Sequence, residues 1–261
     1  MKLARFLPPG AAAPVDGEVR GDLAVAFGDG STVLDRLASG DRSPAVGPGH
    51  PLGDVELLAP VARPRAIFGV GLNYAEHAKE GGSEVPDAPV IFLKLPSSAA
   101  DPFAPVHCPA VVRRLDYEGE LAVVMGAGGA VAGYAVADDV SARDLQRREP
   151  QWTRAKGFDG SCPYGPWITT ADEVPDPHAL RLRTWVNGDL RQDATTADMV
   201  FDVPSVIAFL RETCTLEPGD LILTGTPSGV GFAMDPRRFL ESGDVVRIEI
   251  ERLGAIEHAV A

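Results

Sequence analysis

Three acidic residues alternate along one short stretch, Asp116-Tyr117-Glu118-Gly119-Glu120, directly before the apolar run Leu121-Ala122-Val123-Val124-Met125. Successive side chains of a strand point to opposite faces, so Asp116, Glu118 and Glu120 are expected to look the same way. Carboxylates held side by side repel one another, and burial sharpens the repulsion. A divalent cation offsets it most simply, and an all-oxygen donor set suits Mg²⁺, Mn²⁺ or Ca²⁺ better than zinc. The alternative for this stretch alone is an exposed acidic edge strand with solvated side chains.

Other residues carry chemistry in their types and spacing. His77 and Glu80 are three apart on a short helical stretch, hence neighbours, and can form a base with its orienting carboxylate or simply an exposed helix pair. Lys156 precedes Gly157, where a backbone can approach a ligand closely; the alternative is a solvated surface lysine. Arg143 and Gln146 lie four and seven positions after Asp139, spacings that share a face if the stretch is helical. Arg143 can instead pair with Glu118 or Glu120, and Gln146 can donate to a substrate oxygen. Thr224-Gly225-Thr226-Pro227 directly follows an apolar strand, so the turn N–H groups and the Thr226 hydroxyl are candidate carboxylate donors, or the segment merely ends the strand. Asp138 reads as a helix N-cap or turn aspartate. Tyr164, with Pro166 and Trp167, reads as a pocket wall or as core.

The elements that must position these residues are mostly short strands. Residues 1 to about 60 form a small first segment, with a Pro/Gly-rich linker over Ser43–Pro51. The remainder, 61–261, is one larger domain. Strands are expected at 65–71, 90–94, 131–136 and 219–223, and hairpins around Asn187-Gly188 and Leu253-Gly254. A helix over 204–213 buries Val206, Ile207 and Leu210. Strands dominate, which predicts an α+β, β-rich domain rather than a doubly wound sheet.

The chain has 261 residues and a formal net charge of −13. That charge argues against nucleic acid, whose binders need a basic surface. No apolar run approaches the roughly 20 residues of a membrane helix, and prolines at 8 and 9 interrupt the only candidate leader. Three separated cysteines suggest neither zinc nor disulfides and point to the reduced cytoplasm.

Five blocks in order resemble the fumarylacetoacetate hydrolase family: Gly71-Leu72-Asn73-Tyr74 with His77; Glu118-Gly119-Glu120; Asp139 through Gln146; Lys156-Gly157; and Leu223 through Gly231. The resemblance covers roughly residues 65–260. It implies a mixed β-roll of nested sheets, and Mg²⁺ or Mn²⁺ held by Glu118, Glu120 and Asp139; Asp116, aimed at the same side by strand geometry, is placed behind them, orienting a water or a ligand. It assigns Lys156 to the active site and His77 with Glu80 to a lid that activates water. It implies a homodimer or higher homo-oligomer. Family members act on small 2-oxo and diketo acids. The leading expectation is hydrolysis of a C–C bond in a 2,4-dioxo acid, acylpyruvate-like or fumarylacetoacetate-like. The alternative is decarboxylation or isomerisation of a 2-oxo dicarboxylate of the hydroxymuconate type in aromatic catabolism.

Overall fold

The structure is a computed structural model that describes all residues, 1–261. The acidic stretch enters a strand, Gly119–Met125, that is buried along its whole length. Its neighbours explain why: it pairs antiparallel with Val131–Asp138 on one side and with Leu221–Leu223 on the other. A strand flanked on both sides and covered on both faces reads as a continuous apolar run, as 121–125 does. This position rules out the exposed edge strand.

The sheet has 12 strands and is mixed. Beyond Leu221–Leu223 come Ile67–Gly71, in parallel, and then Val90–Lys94 at the sheet edge. In the other direction Val131–Asp138 pairs with Cys162–Thr170, which in turn pairs with Lys2–Leu7. The first segment therefore adds its strands to the same sheet. Within it Gly49–Pro51 pairs with Leu23–Ala26, so the stretch read as a linker ends in a strand.

A separate four-stranded antiparallel sheet runs Asp189–Thr195, Arg181–Val186, Val245–Ile250, Gly254–Ala259. The Asn187-Gly188 turn has φ of 52° and 82°, the doubly positive geometry of a type I′ hairpin. Leu121, Val123 and Met125 belong to one core cluster with Ile248 and Ile256 of this sheet. Ala122 and Val124 belong to a second, with Leu3, Val33 and Leu37 of the first segment. The central strand is thus clamped between two cores. The nested, β-rich α+β architecture matches the sequence expectation.

The helices are short. Val203–Arg211 is capped by Asp202, whose side chain accepts the Ser205 N–H at 2.8 Å. Ala75–Glu80 carries His77, Arg143–Arg148 carries Gln146, and Thr153–Lys156 ends in the active-site lysine candidate.

Two local expectations fail. The stretch after Asp139 is not helical: Ser141 and Ala142 pair antiparallel with Asp116 and Leu115, and the helix begins only at Arg143. Asp138 caps no helix; it accepts the Glu118 N–H at 2.8 Å, and its other oxygen lies 2.8 Å from His258 Nε2.

Candidate metal centre and active site

Glu118, Glu120 and Asp139 offer carboxylate oxygens that all lie within 4.8 Å of one another, and all three are buried. Glu118 and Glu120 sit where the central strand begins. The glycine between them is required: a Cβ at Gly119 would come within 2.4 Å of Thr184 Oγ1. Asp139 follows the neighbouring strand and donates its N–H to the Glu118 carbonyl at 2.9 Å, which locks the two residues' backbones together.

Cations surround two of the three acids. Lys156 Nζ donates to Asp139 Oδ2 at 2.7 Å and to Glu118 Oε2. Arg143 Nη2 lies 2.6 Å from Glu118 Oε1, and its Nε donates to Asp116 Oδ2 at 2.8 Å. Asp116 thus sits behind Glu118, holding Arg143 in place. Arg143 Nη1 also donates to Gln146 Oε1 at 2.9 Å, which leaves the Gln146 amide nitrogen for a ligand. Glu120 has no cationic partner and accepts one hydrogen bond, from the Gly225 N–H at 2.6 Å.

These surroundings push the two glutamates in opposite directions. Burial works against ionisation of Glu118, but Arg143 and Lys156 outweigh it and hold its carboxyl well below the usual range. Burial raises Glu120 well above that range, and Asp139 and Glu118 add to the rise. Lys156 is desolvated, yet Asp139 and Glu118 raise its pKa, so it stays an ammonium donor.

The donor set fits a hard divalent ion. Lys94, Arg143 and Lys156 pair with Asp116, Glu118 and Asp139, and Glu120 is left without a cation, so the buried carboxylates outnumber the cations that pair with them and a divalent ion would offset the excess. A proton on Glu120 competes with the metal, so affinity should fall as pH drops below that raised pKa and rise as pH climbs through it. Titrating Mg²⁺ calorimetrically in buffers of different ionisation heats should reveal proton release. Uptake without release would show Glu120 already ionised.

Lys94 was missing from the sequence reading. It is fully buried, and its Nζ donates to Asp139 Oδ1 at 2.7 Å, to the Ser161 carbonyl at 2.9 Å, and to the Lys156 carbonyl. The available signal was a lone charge closing the apolar run Val90-Ile91-Phe92-Leu93. Removing one member of a buried charge pair typically costs about 3–5 kcal/mol. Lys94→Met should therefore lower stability by about that amount in chemical denaturation.

A cavity of about 40 Å³ lies over the acids. Glu118, Glu120, Lys156, Arg143, Gln146, His77 and Thr226 all line it, with Phe92 and Trp152 as apolar walls. His77 Nδ1 is 2.9 Å from Glu80 Oε1, and Glu80 Oε2 accepts the Gly229 N–H at 2.9 Å. Leu72, also on the cavity, has φ of 57°, a left-handed conformation that is uncommon without glycine. Its neighbour Asn73 anchors the turn, donating to the Thr224 carbonyl at 2.7 Å and the Phe201 carbonyl at 3.0 Å.

Four expectations about substrate contacts are corrected. Tyr164 does not wall the cavity: it is buried in the second core, its hydroxyl donating to the Val61 carbonyl at 2.6 Å. The Gly225 N–H is committed to Glu120 rather than free for a ligand. The Thr226 hydroxyl lines the cavity but donates to the Gly119 carbonyl at 3.0 Å and accepts from Gln192 Nε2 at 2.7 Å. Trp167 likewise lies away from the cavity, its ring beneath Lys2 Nζ at 4.5 Å.

The sequence model described as Fumarylacetoacetate (FAA) hydrolase C-terminal matches residues 66–261. The chain belongs to the fumarylacetoacetate hydrolase family. It is 45% identical over 219 residues to "Oxaloacetate tautomerase fahd2, mitochondrial" of Xenopus laevis, a match spanning 79% of this chain and 69% of that one. Among solved structures of the family it resembles a fumarylacetoacetate hydrolase from psychrophilic Exiguobacterium antarcticum, with TM-score 0.88 and 37% identity over 100% of this chain and 99% of that one. It also resembles a 5-carboxymethyl-2-hydroxymuconate delta-isomerase from Mycobacterium smegmatis, with TM-score 0.82 and 37% identity over 100% and 98%. The family is thus one of enzymes, with hydrolases, isomerases and a tautomerase among these relatives. No helix of the chain is long and apolar enough to cross a membrane.

Proposed function

We propose that this family member is a divalent-metal-dependent enzyme that carries a 2-oxo acid through its enolate and returns it as the keto or enol tautomer. The observation that carries the reading is convergence: Glu118, Glu120, Lys156 and His77 all face one small cavity, with Asp139 clustered against the two glutamates and Glu80 held behind His77. Mg²⁺ or Mn²⁺ held by Glu118, Glu120 and Asp139 would supply Lewis-acid polarisation of the substrate's carboxylate and 2-oxo oxygens.

The protein groups supply the rest. Glu80 engages His77 Nδ1 and fixes the ring, which leaves Nε2 to take the proton from substrate carbon 3 and hand it to the enolate oxygen, or to run the same transfer in reverse. The Gly229 N–H holds Glu80 in turn. Lys156 places an ammonium beside the charge that develops on the enolate oxygen. Arg143 keeps Glu118 oriented, and the free Gln146 amide nitrogen donates to the substrate.

A second reading is hydrolytic C–C cleavage of a 2,4-dioxo acid, which the sequence placed first. The His77–Glu80 pair favours it, because the same base can deprotonate water for attack on carbon 4. Tautomerisation is ranked ahead because it uses every group of the site without requiring a positioned water, and because the Xenopus relative at 45% identity bears that activity in its name. Two substrates separate the readings in the presence of Mg²⁺. Accelerated enol–keto conversion of oxaloacetate, followed by loss of enol absorbance without pyruvate, supports tautomerisation. Loss of an acylpyruvate's diketone absorbance with pyruvate release supports cleavage. Silence toward both sinks both readings.

A further inference from the structure

The sharpest departure from the chain's acidic balance lies outside the catalytic cavity. A second cavity, of about 410 Å³, is walled by Arg113, Arg191, Arg237 and Arg238. That volume falls within the roughly 300–1,000 Å³ of small-molecule sites. Two carboxylates, Glu241 and Asp244, also line it, so four guanidinium charges face two negative ones. Asp244 is already engaged, accepting from Asn187 Nδ2 and from the Glu241 N–H, each at 2.8 Å.

Most of these arginines lack an acidic partner. Arg191 pairs with Asp189 at 3.2 Å. Arg113 reaches only backbone carbonyls, those of Ala110 at 2.6 Å and Val112 at 3.1 Å. Arg237 lies 4.7 Å over the Phe232 ring. Arg238 makes no ion pair and donates no side-chain hydrogen bond. In a chain with 37 acidic residues, leaving three neighbouring guanidinium groups without a carboxylate calls for a partner from outside.

The backbone that presents them is fixed. The N–H groups of Gly231 and Phe232 donate to Asp116 at 2.9 and 3.0 Å, and the Arg238 N–H donates to the Gly231 carbonyl at 3.0 Å. A Cβ at Gly231 would fall 1.8 Å from the Arg238 carbonyl oxygen, so the two ends of this loop are in close contact. A concave surface of net positive charge, held on a rigid loop, concentrates an opposite charge with little ordering cost. Planar guanidinium groups match phosphate and carboxylate oxygens in pairs.

We propose that this cavity binds a small, multiply charged anion of the phosphoanhydride or polycarboxylate class. The site stands independently of the reaction proposed above. Calorimetric titration of the full metal-free chain with inorganic pyrophosphate, and separately with citrate, tests it. One-site binding at low ionic strength is expected, weakening by about tenfold or more in high salt as screening sets in. Arg238→Glu should abolish it. Arg63→Glu, an exposed arginine elsewhere with the same change in net charge, should not. Whichever probe binds tighter assigns the class. Absence of heat with both probes, or equal binding by Arg238→Glu and the parent, overturns the proposal.

Discussion

Glu120→Gln should lose metal binding and turnover together while making the metal-free protein more stable. The opposite signs follow from one carboxylate. Glu120 is buried beside Asp139 and Glu118, no cation pairs with it, and its pKa is raised well above the carboxylate range. A group whose folded-state pKa lies above its unfolded value stabilises the fold only while protonated. That contribution is present below the unfolded pKa and is lost as pH rises through the folded one. Above its unfolded pKa the carboxyl therefore costs the metal-free fold stability, whether it keeps its proton or buries an unpaired charge, and the neutral, near-isosteric amide relieves that cost. The amide oxygen still accepts the Gly225 N–H. A central ligand is gone, however, so Mg²⁺ affinity should fall by more than the roughly 10–100-fold that loss of a supporting residue costs. Melting in chelator and Mg²⁺ titration read the two effects separately. A variant that binds Mg²⁺ like the parent, or melts lower in chelator, contradicts the assignment of Glu120.

His77→Ala should behave differently. His77 touches the cavity and Glu80 but none of the three metal-site acids by hydrogen bond. Metal affinity should stay near the parent's while kcat falls by about 10²–10⁴, the usual contribution of a positioned acid–base group. Single-turnover kinetics at saturating Mg²⁺ checks this. Full activity in His77→Ala would remove His77 from the chemistry and leave the metal site intact. Glu80→Gln should give a smaller loss, because the ring keeps a hydrogen-bond partner at Nδ1 but a neutral one.

The acids were legible in the sequence because period-two carboxylates ahead of an apolar run make a conflict that either solvent or a buried cation must resolve, and because the family blocks pointed to the cation and gave Asp139 its place. Lys94 was not legible, since its partners come from residues 139, 156 and 161 and no local pattern joins them. The helix expected after Asp139 failed for a similar reason. Its polar residues suit a helix start, but pairing of Ser141 and Ala142 with the acidic stretch satisfies that backbone across the sheet. Tyr164 was misplaced because nothing local says which face of the Cys162–Thr170 strand meets the cavity. Its hydroxyl is drawn to Val61, more than a hundred residues away. The hairpin at Asn187-Gly188 and the capped helix from Val203 were readable because their causes are local.

The pairing of Lys2–Leu7 with Cys162–Thr170 bears on how the molecule is made. Arg5, Phe6 and Leu7 pair with the nearby Glu56–Leu58, but Lys2 and Leu3 find Thr169 and Ile168 only after most of the intervening chain has been made. Until then that part of the edge stands open to other nascent chains. Such distant pairings slow folding and expose it to misassembly. The step at which this protein is most vulnerable to aggregation should be closure of that strand pair, long after the turns and short helices have formed.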